Sequence, residues 1–150
     1  MKITYKGDYA LKAILDLAVH YGGVERIEEI ARRQDIPLKF LEQILLTLKK
    51  GGFVKSQRGR NGGYYLARDP KNITMGQVIR YMEGPIEPIT CILKKGGTHC
   101  NFAAECIFRD IFLDVSNYIS GKVDSVSFAD LKKQQLKKLA QEKKYLNYSI

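Results

Sequence analysis

Apolar positions recur with a helical period along most of the chain, and one stretch organises the rest. In residues 36–66, IPLKFLEQILLTLKKGGFVKSQRGRNGGYYL, Leu38, Leu41, Leu45 and Leu48 return every three or four residues and share one helix face. Lys39, Glu42, Gln43, Lys49 and Lys50 occupy the other face. Pro37 suits a helix start, where its missing N–H costs nothing. Gly51 and Gly52 supply the stop, because glycine enters the left-handed region freely. Residues 53–57 then read as a strand, 58–63 as a glycine-rich polar turn and 64–67 as a returning strand. A polar-faced helix followed at once by a basic hairpin is the pattern of a winged helix. Its helix fits the major groove of DNA, and the hairpin tip reaches a neighbouring minor groove.

The flanking pattern agrees. Residues 8–21 form a first helix with Ala10, Leu11, Ile14, Leu15, Leu17 and Ala18 as its apolar stripe. Asp8 sits in its first turn, where the helix dipole favours a carboxylate. Residues 26–33 give a short second helix with Ile27, Ile30 and Ala31 inward, and 34–37 make the tight turn of a helix-turn-helix. Beyond the hairpin, Thr74 caps a helix to Glu83, with Met75, Val78, Ile79 and Met82 apolar. Residues 85–99 read as a loop. The helical period returns over 101–119, where Phe108, Ile111, Phe112, Val115 and Ile119 form one stripe. So long an apolar stripe in so small a chain predicts a helix-to-helix dimer seam, with packing onto the winged helix as the alternative. Ser127 and Asp130 approximate a capping box for a last helix carrying Phe128, Leu131, Leu136 and Leu139. The lysines between Lys132 and Lys144 read as its solvated face, and residues 145–150 as a frayed end.

The fold class expected is mostly α: a winged helix-turn-helix with a long dimerisation helix and a small two-stranded wing. Residues 1–83 make the DNA-binding domain, 84–106 a cysteine loop, and 107–150 the dimerisation helix with a C-terminal helix and tail.

Charge sharpens this picture. The net charge is +9, from 25 basic and 16 acidic residues, which suits a polyanionic partner. Lys49, Lys50, Lys55, Arg58 and Arg60 fall together at the proposed DNA face. There, Glu42 can accept from cytosine, Gln43 can fork onto adenine, and Lys39 suits a phosphate. Arg58 suits a narrow minor groove, with Arg60 and Asn61 holding the backbone. A dimer of such units sets two recognition helices about 34 Å apart on a palindromic double-stranded operator. No apolar run approaches the roughly 20 residues that span a bilayer, and the N-terminus lacks the apolar core of a secretory leader. Together these predict a soluble, cytoplasmic protein with no membrane partner. Paired carboxylates, a nucleophile with its base, and a phosphate-binding glycine loop are all missing from the pattern, so no enzyme is expected. The glycines of GRNGGYY precede a strand rather than a helix.

Three cysteines argue against a disulfide framework and for metal or redox chemistry. Cys91, Cys100 and Cys106 give C-x8-C-x5-C on a loop entering a helix, and thiolates bind iron–sulfur clusters or zinc. A fourth ligand is needed. His99 and Glu105 each adjoin a cysteine, so their side chains tend to diverge from it, while Asp8 is distant in sequence and can approach across a dimer. Inert thiols, and a zinc site completed by His99, stand as alternatives.

The chain resembles the Rrf-type winged-helix regulators, which include IscR-like, NsrR-like and RirA-like iron–sulfur repressors. The resemblance is carried by M-K-I-x-x-K-G-D-Y-A-L-K-A at the start, I-P-L-K-F-L-E-Q-I-L in the recognition helix, R-G-R-N-G-G-Y-Y-L-A in the wing, and the placement of the three cysteines. It implies a homodimer joined by the long helix, base contacts from the recognition helix, and a 4Fe–4S or 2Fe–2S cluster between the DNA-binding and dimerisation parts. IscR-like members space their cysteines evenly and place a histidine three residues beyond the third, where this chain has Arg109. NsrR-like members use an aspartate from the partner's first helix, and Asp8 stands at that position. The resemblance therefore implies Asp8 as fourth ligand. It also implies a repressor sensing iron–sulfur status, redox or nitric oxide. The switch expected from the cluster's place between the two halves is that its damage by oxygen, nitric oxide or iron shortage reorders residues 85–105 and alters DNA affinity. The alternative is a cluster-free member of the same fold, answering to thiol oxidation, zinc or a partner protein.

Overall fold

The computed structural model describes residues 2–92 and 100–148. Its helices are α1 (Tyr5–Val19), α2 (Ile27–Gln34), α3 (Leu38–Lys50), α4 (Met75–Glu83), α5 (Ile107–Asp124) and α6 (Phe128–Tyr148). One antiparallel hairpin, β1 (Val54–Gln57) with β2 (Gly63–Leu66), follows α3 in the register Val54 to Leu66 and Gln57 to Gly63. Short 3-10 turns occupy Pro70–Asn72 and Thr90–Ile92. The expected mostly helical winged helix-turn-helix is present. Among the described residues no helix is long and apolar enough to cross a membrane.

The core centres on α1, which packs against α2, α3, α4, α6 and β2. Ala10, Ala13 and Ala18 are fully buried and let those neighbours approach, while Ile14 and Leu17 fill the space between. Leu41, Ile44, Leu45 and Leu48 of α3 join them, with Val54 and Leu66 from the hairpin and Phe128 from α6. Leu38, expected on that apolar face, is 40% exposed. It is the first residue of α3, beyond the reach of the core beneath the later turns. Two backbone bonds, Met75 N–H to the Val126 carbonyl at 3.0 Å and Phe128 N–H to that of Ile73 at 2.9 Å, anchor the start of α6 to the body.

Local chemistry explains most boundaries. At the end of α3 the Phe53 amide reaches back to the Leu48 carbonyl and the Gly52 amide to that of Lys49, with Gly52 at φ 72. This is a Schellman stop, completed by the buried Phe53. Thr74 and Gln77 form a reciprocal capping box for α4. Ser127 and Asp130 do the same for α6, with the Asp130 amide donating to Ser127 Oγ at 3.2 Å and the Ser127 amide to Asp130 Oδ2 at 3.2 Å.

Four expectations need correction. First, α1 begins at Tyr5 rather than residue 8, because Thr4 is its cap and accepts from the Lys6 amide. Second, α5 begins at Ile107 and runs to Asp124; residues 101–105 form turns and Cys106 is the cap. Third, the apolar residues of α5 lie on two faces. Phe112 and Ile119 turn half-buried toward the body, while Ile107, Phe108, Ile111, Val115 and Tyr118 remain exposed. Fourth, residues 145–148 continue α6 rather than fraying.

Candidate nucleic-acid interface and metal centre

Because α3 buries Leu41, Ile44, Leu45 and Leu48, its opposite side is presented to solvent. Lys39, Glu42, Gln43, Lys49 and Lys50 are all exposed there, as the pattern predicted. Among the described residues, neither Lys39 nor Glu42 has a hydrogen-bond or ion-pair partner, so both side chains are available to a ligand. Lys49 Nζ donates to Ser56 Oγ at 2.6 Å and ties the helix to β1. Gln43 lies further round the helix, where it lines a cavity of about 610 Å³ with Tyr5, Tyr9, Phe40, Thr47 and Met82.

The wing tip carries Arg58, Arg60 and Asn61, all exposed. Gly59 turns there at φ 109, a conformation other residues adopt at a cost. The wing is tethered in two ways that periodicity could not reveal. Arg26 donates from its guanidinium to the Arg60 carbonyl at 3.1 Å. Glu25 and Tyr64 exchange backbone hydrogen bonds in both directions at 2.8 Å, and a Cβ at Gly63 would collide with the Glu25 carbonyl.

Behind that tether lies a buried ion network. Asp16, 2% exposed, accepts from Arg33 Nε at 2.9 Å, Arg33 Nη2 at 2.7 Å and Gln34 Nε2 at 3.1 Å. Arg33 also donates to Glu25 at 2.6 Å, and its hydrogen bonds to Asp16 are the main reason its guanidinium holds its proton even more firmly than usual. The signal in the sequence was a lone carboxylate set inside an apolar stripe between Leu15 and Leu17. Asp16, His20 and Glu25 also bring ligand atoms within 4.8 Å of one another. The Arg33 guanidinium already pairs with both carboxylates, so the cluster is better described as a lock than as a metal site.

The cysteines sit where the body gives way to α5. Cys91 lies half-buried in the Thr90–Ile92 turn, Cys100 is exposed, and half-buried Cys106 caps α5; all three are free thiols. The Thr90–Ile92 turn packs against α5, which brings the Cys91 turn to the helix that Cys106 opens. The three sulfurs are not all within 4.8 Å of one another. A single zinc ion with bonds of about 2.3 Å holds its sulfurs near 3.8 Å apart, so no closed mononuclear site is preformed. Three thiols on one short segment are a donor set of the kind that iron–sulfur clusters take.

The oxygen donors differ among themselves. Asp8 pairs with Lys12 at 2.7 Å, half-exposed on the first turn of α1, and no cysteine is grouped with it inside one chain. Glu105 is exposed, and His99 lies outside the described residues. Glu87, four residues before Cys91, has a buried Oε2 with no hydrogen-bond partner among the described residues. A buried acceptor without a partner is costly, so this oxygen invites a ligand. The sequence reading passed over it because a single glutamate in a loop has no pattern.

A family model described as "Rrf2: Iron-dependent Transcriptional regulator" matches residues 3–134. The HTH-type transcriptional regulator IscR of Serratia proteamaculans is 36% identical over 136 residues, covering 90% of this chain and 81% of that protein. Among solved structures, CymR, the global cysteine regulator of B. subtilis, aligns with a TM-score of 0.75 and 32% identity over 89% of this chain and 98% of its own. IscR of T. potens aligns with a TM-score of 0.73 and 34% identity, over 90% and 88% respectively.

Proposed function

The chain belongs to the Rrf2 family of transcriptional regulators, and on that premise we propose that it is a homodimeric, sequence-specific repressor whose DNA affinity is set by an iron–sulfur cluster on Cys91, Cys100 and Cys106. The observation that carries this reading is the position of three free thiols on one segment, between a DNA-binding body and an exposed apolar helix. In the proposal, α5 pairs with its copy through Ile107, Phe108, Ile111 and Tyr118. Asp8, supplied across the dimer, takes the fourth ligand position. Glu87 is the second candidate for that position, favoured by its unbonded buried oxygen. A bound cluster supplies redox and iron sensitivity that protein groups lack. The protein's own share is to hold the thiolates at the root of α5 and to aim α3 and the wing at DNA.

Zinc and bare-thiol sensing remain the rival readings, and IscR and the cysteine regulator CymR are both among the relatives. Iron and acid-labile sulfide per chain, measured on protein purified without oxygen, separates them. Near-stoichiometric iron and sulfide are expected, and a variant with alanine at Cys91, Cys100 and Cys106 should hold neither. A triple variant that retains both would end the ligand assignment; zinc in the wild type would favour the rival.

For DNA, Glu42 and Gln43 are assigned to the major groove and Lys39 to a phosphate, with Arg58, Arg60 and Asn61 at the wing. Glu42→Ala should relax base preference by about 1–3 kcal/mol at one operator position while leaving the salt dependence unchanged. Binding to a panel of single-base operator variants measures this, and an unaltered preference profile would remove Glu42 from the readout.

A further inference from the structure

Glu83 is the last residue of α4, and the next residue begins the segment that carries the cysteines. Its Oε1 accepts three hydrogen bonds from the start of α1: the Thr4 amide at 2.9 Å, the Thr4 hydroxyl at 2.6 Å and the Gly7 amide at 3.0 Å. These satisfy N–H groups that a first helical turn leaves without intrahelical partners. The contact is close enough that a Cβ on Gly7 would run into Glu83 Oε1. Burial alone would raise the Glu83 pKa, but the bonds from Thr4 and Gly7, with the charge of Lys6, outweigh it and hold the group below the ordinary glutamate value.

The residues just beyond the turn held in this way touch the recognition helix. Asp8 follows Gly7, and the Tyr9 ring lies 6.4 Å from that of Phe40 on the first turn of α3. Tyr5 and Tyr9 also line, with Phe40, Gln43 and Glu83, the cavity beside α3. On the other side of Glu83 the chain leaves the helix at Gly84, φ 89, and Ile86 is fully buried two residues on. The Glu83 carboxylate thus joins the root of the cysteine segment to the first turn of α1, and the Tyr9–Phe40 contact joins α1 to the first turn of α3.

We propose that Glu83 is a positioning residue that passes the state of the cysteine segment to the recognition helix, by holding the first turn of α1 against the root of that segment. The proposal rests on the regulatory reading above, which supplies two states to be passed on. A displacement at residues 84–86 moves Glu83, the turn it holds moves with it, and the Tyr9–Phe40 contact carries the shift to the end of α3 that bears Lys39, Glu42 and Gln43. A purely structural cap would steady α1 equally in both states.

The test compares DNA affinity of the full chain in two forms, purified without oxygen and then stripped of iron by a chelator, on a duplex that the wild type has selected from a randomised pool. Glu83→Gln removes the charge, and Gly7→Ala forces the contact open from the other side. Both should cut the ratio of the two affinities at least about fivefold. A merely structural role would weaken both forms alike and preserve the ratio. Ratios within about twofold of wild type in both variants overturn the proposal and leave the regulatory reading standing. A wild type whose two forms bind alike overturns both together. If neither variant folds, hydrogen exchange at the Gly7 amide of the wild type decides: a rate that differs between the two forms supports the proposal, and an equal rate overturns it.

Discussion

Asp16→Ala is expected to cost about 3 kcal/mol of folding stability, the lower end of what breaking a buried ion pair from one side costs. Asp16 is 2% exposed and receives both a bidentate Arg33 and Gln34. Its removal leaves the Arg33 guanidinium, 24% exposed, with Glu25 alone at 2.6 Å. That surviving partner and the partial exposure of Arg33 keep the loss from being larger. Urea unfolding should show a lower midpoint with an unchanged slope. A loss below about 1 kcal/mol would reduce the network to the worth of a surface pair. The wing should feel the change too, because Glu25 shares both backbone bonds with Tyr64. Faster hydrogen exchange at the Tyr64 amide is the expected sign, and Asp16→Asn, which keeps the size and some hydrogen bonds, should fall between the two proteins.

Ile111→Glu is expected to dissociate the proposed dimer, raising its dissociation constant at least about 100-fold, the effect of losing a central contact worth roughly 3 kcal/mol. On α5, Ile107 is 71% exposed, Phe108 63%, Ile111 61% and Tyr118 76%, which is more apolar surface on one helix face than an isolated domain commonly leaves in water. Within one chain this face packs on nothing in the core, so the substitution should spare the fold of the single subunit. Sedimentation equilibrium at micromolar concentration reads the assembly, and circular dichroism checks that helix content is kept. A variant that stays dimeric would move the interface off α5. One that becomes monomeric should also lose the preference for a palindrome over a half-site, because two recognition helices no longer arrive together.

Periodicity made the recognition helix legible, since four buried positions on α3 define its exposed face by subtraction. Gly51 and Gly52 marked the stop, and the Schellman bonds explain why. The boundaries of α1 and α5 were less legible. Thr4 caps two turns before the first apolar cluster at residues 10–11, and the turns at 101–105 imitate a helical pattern only through their small residues. On α5 the period marked Phe108, Ile111, Phe112, Val115 and Ile119 but not Ile107 and Tyr118, and the five do not share one face. Spacings of three and four are compatible with a broad band, and only docking on α4 decides which edge of the band is covered.

What the sequence by itself determined is local: which segments are helical, where the wing turns, which side chains of α3 are left to solvent, and that three thiols share a short segment. Backbone propensity, capping and apolar period act over a few residues, so they can be read along the chain. What only the tertiary structure decided is which polar groups meet. Asp16 with Arg33, Arg26 with the Arg60 carbonyl, and Glu83 with Thr4 join positions 17, 34 and 79 residues apart. Such pairs leave no periodic trace, because they form only once packed elements bring together groups that are far apart along the chain.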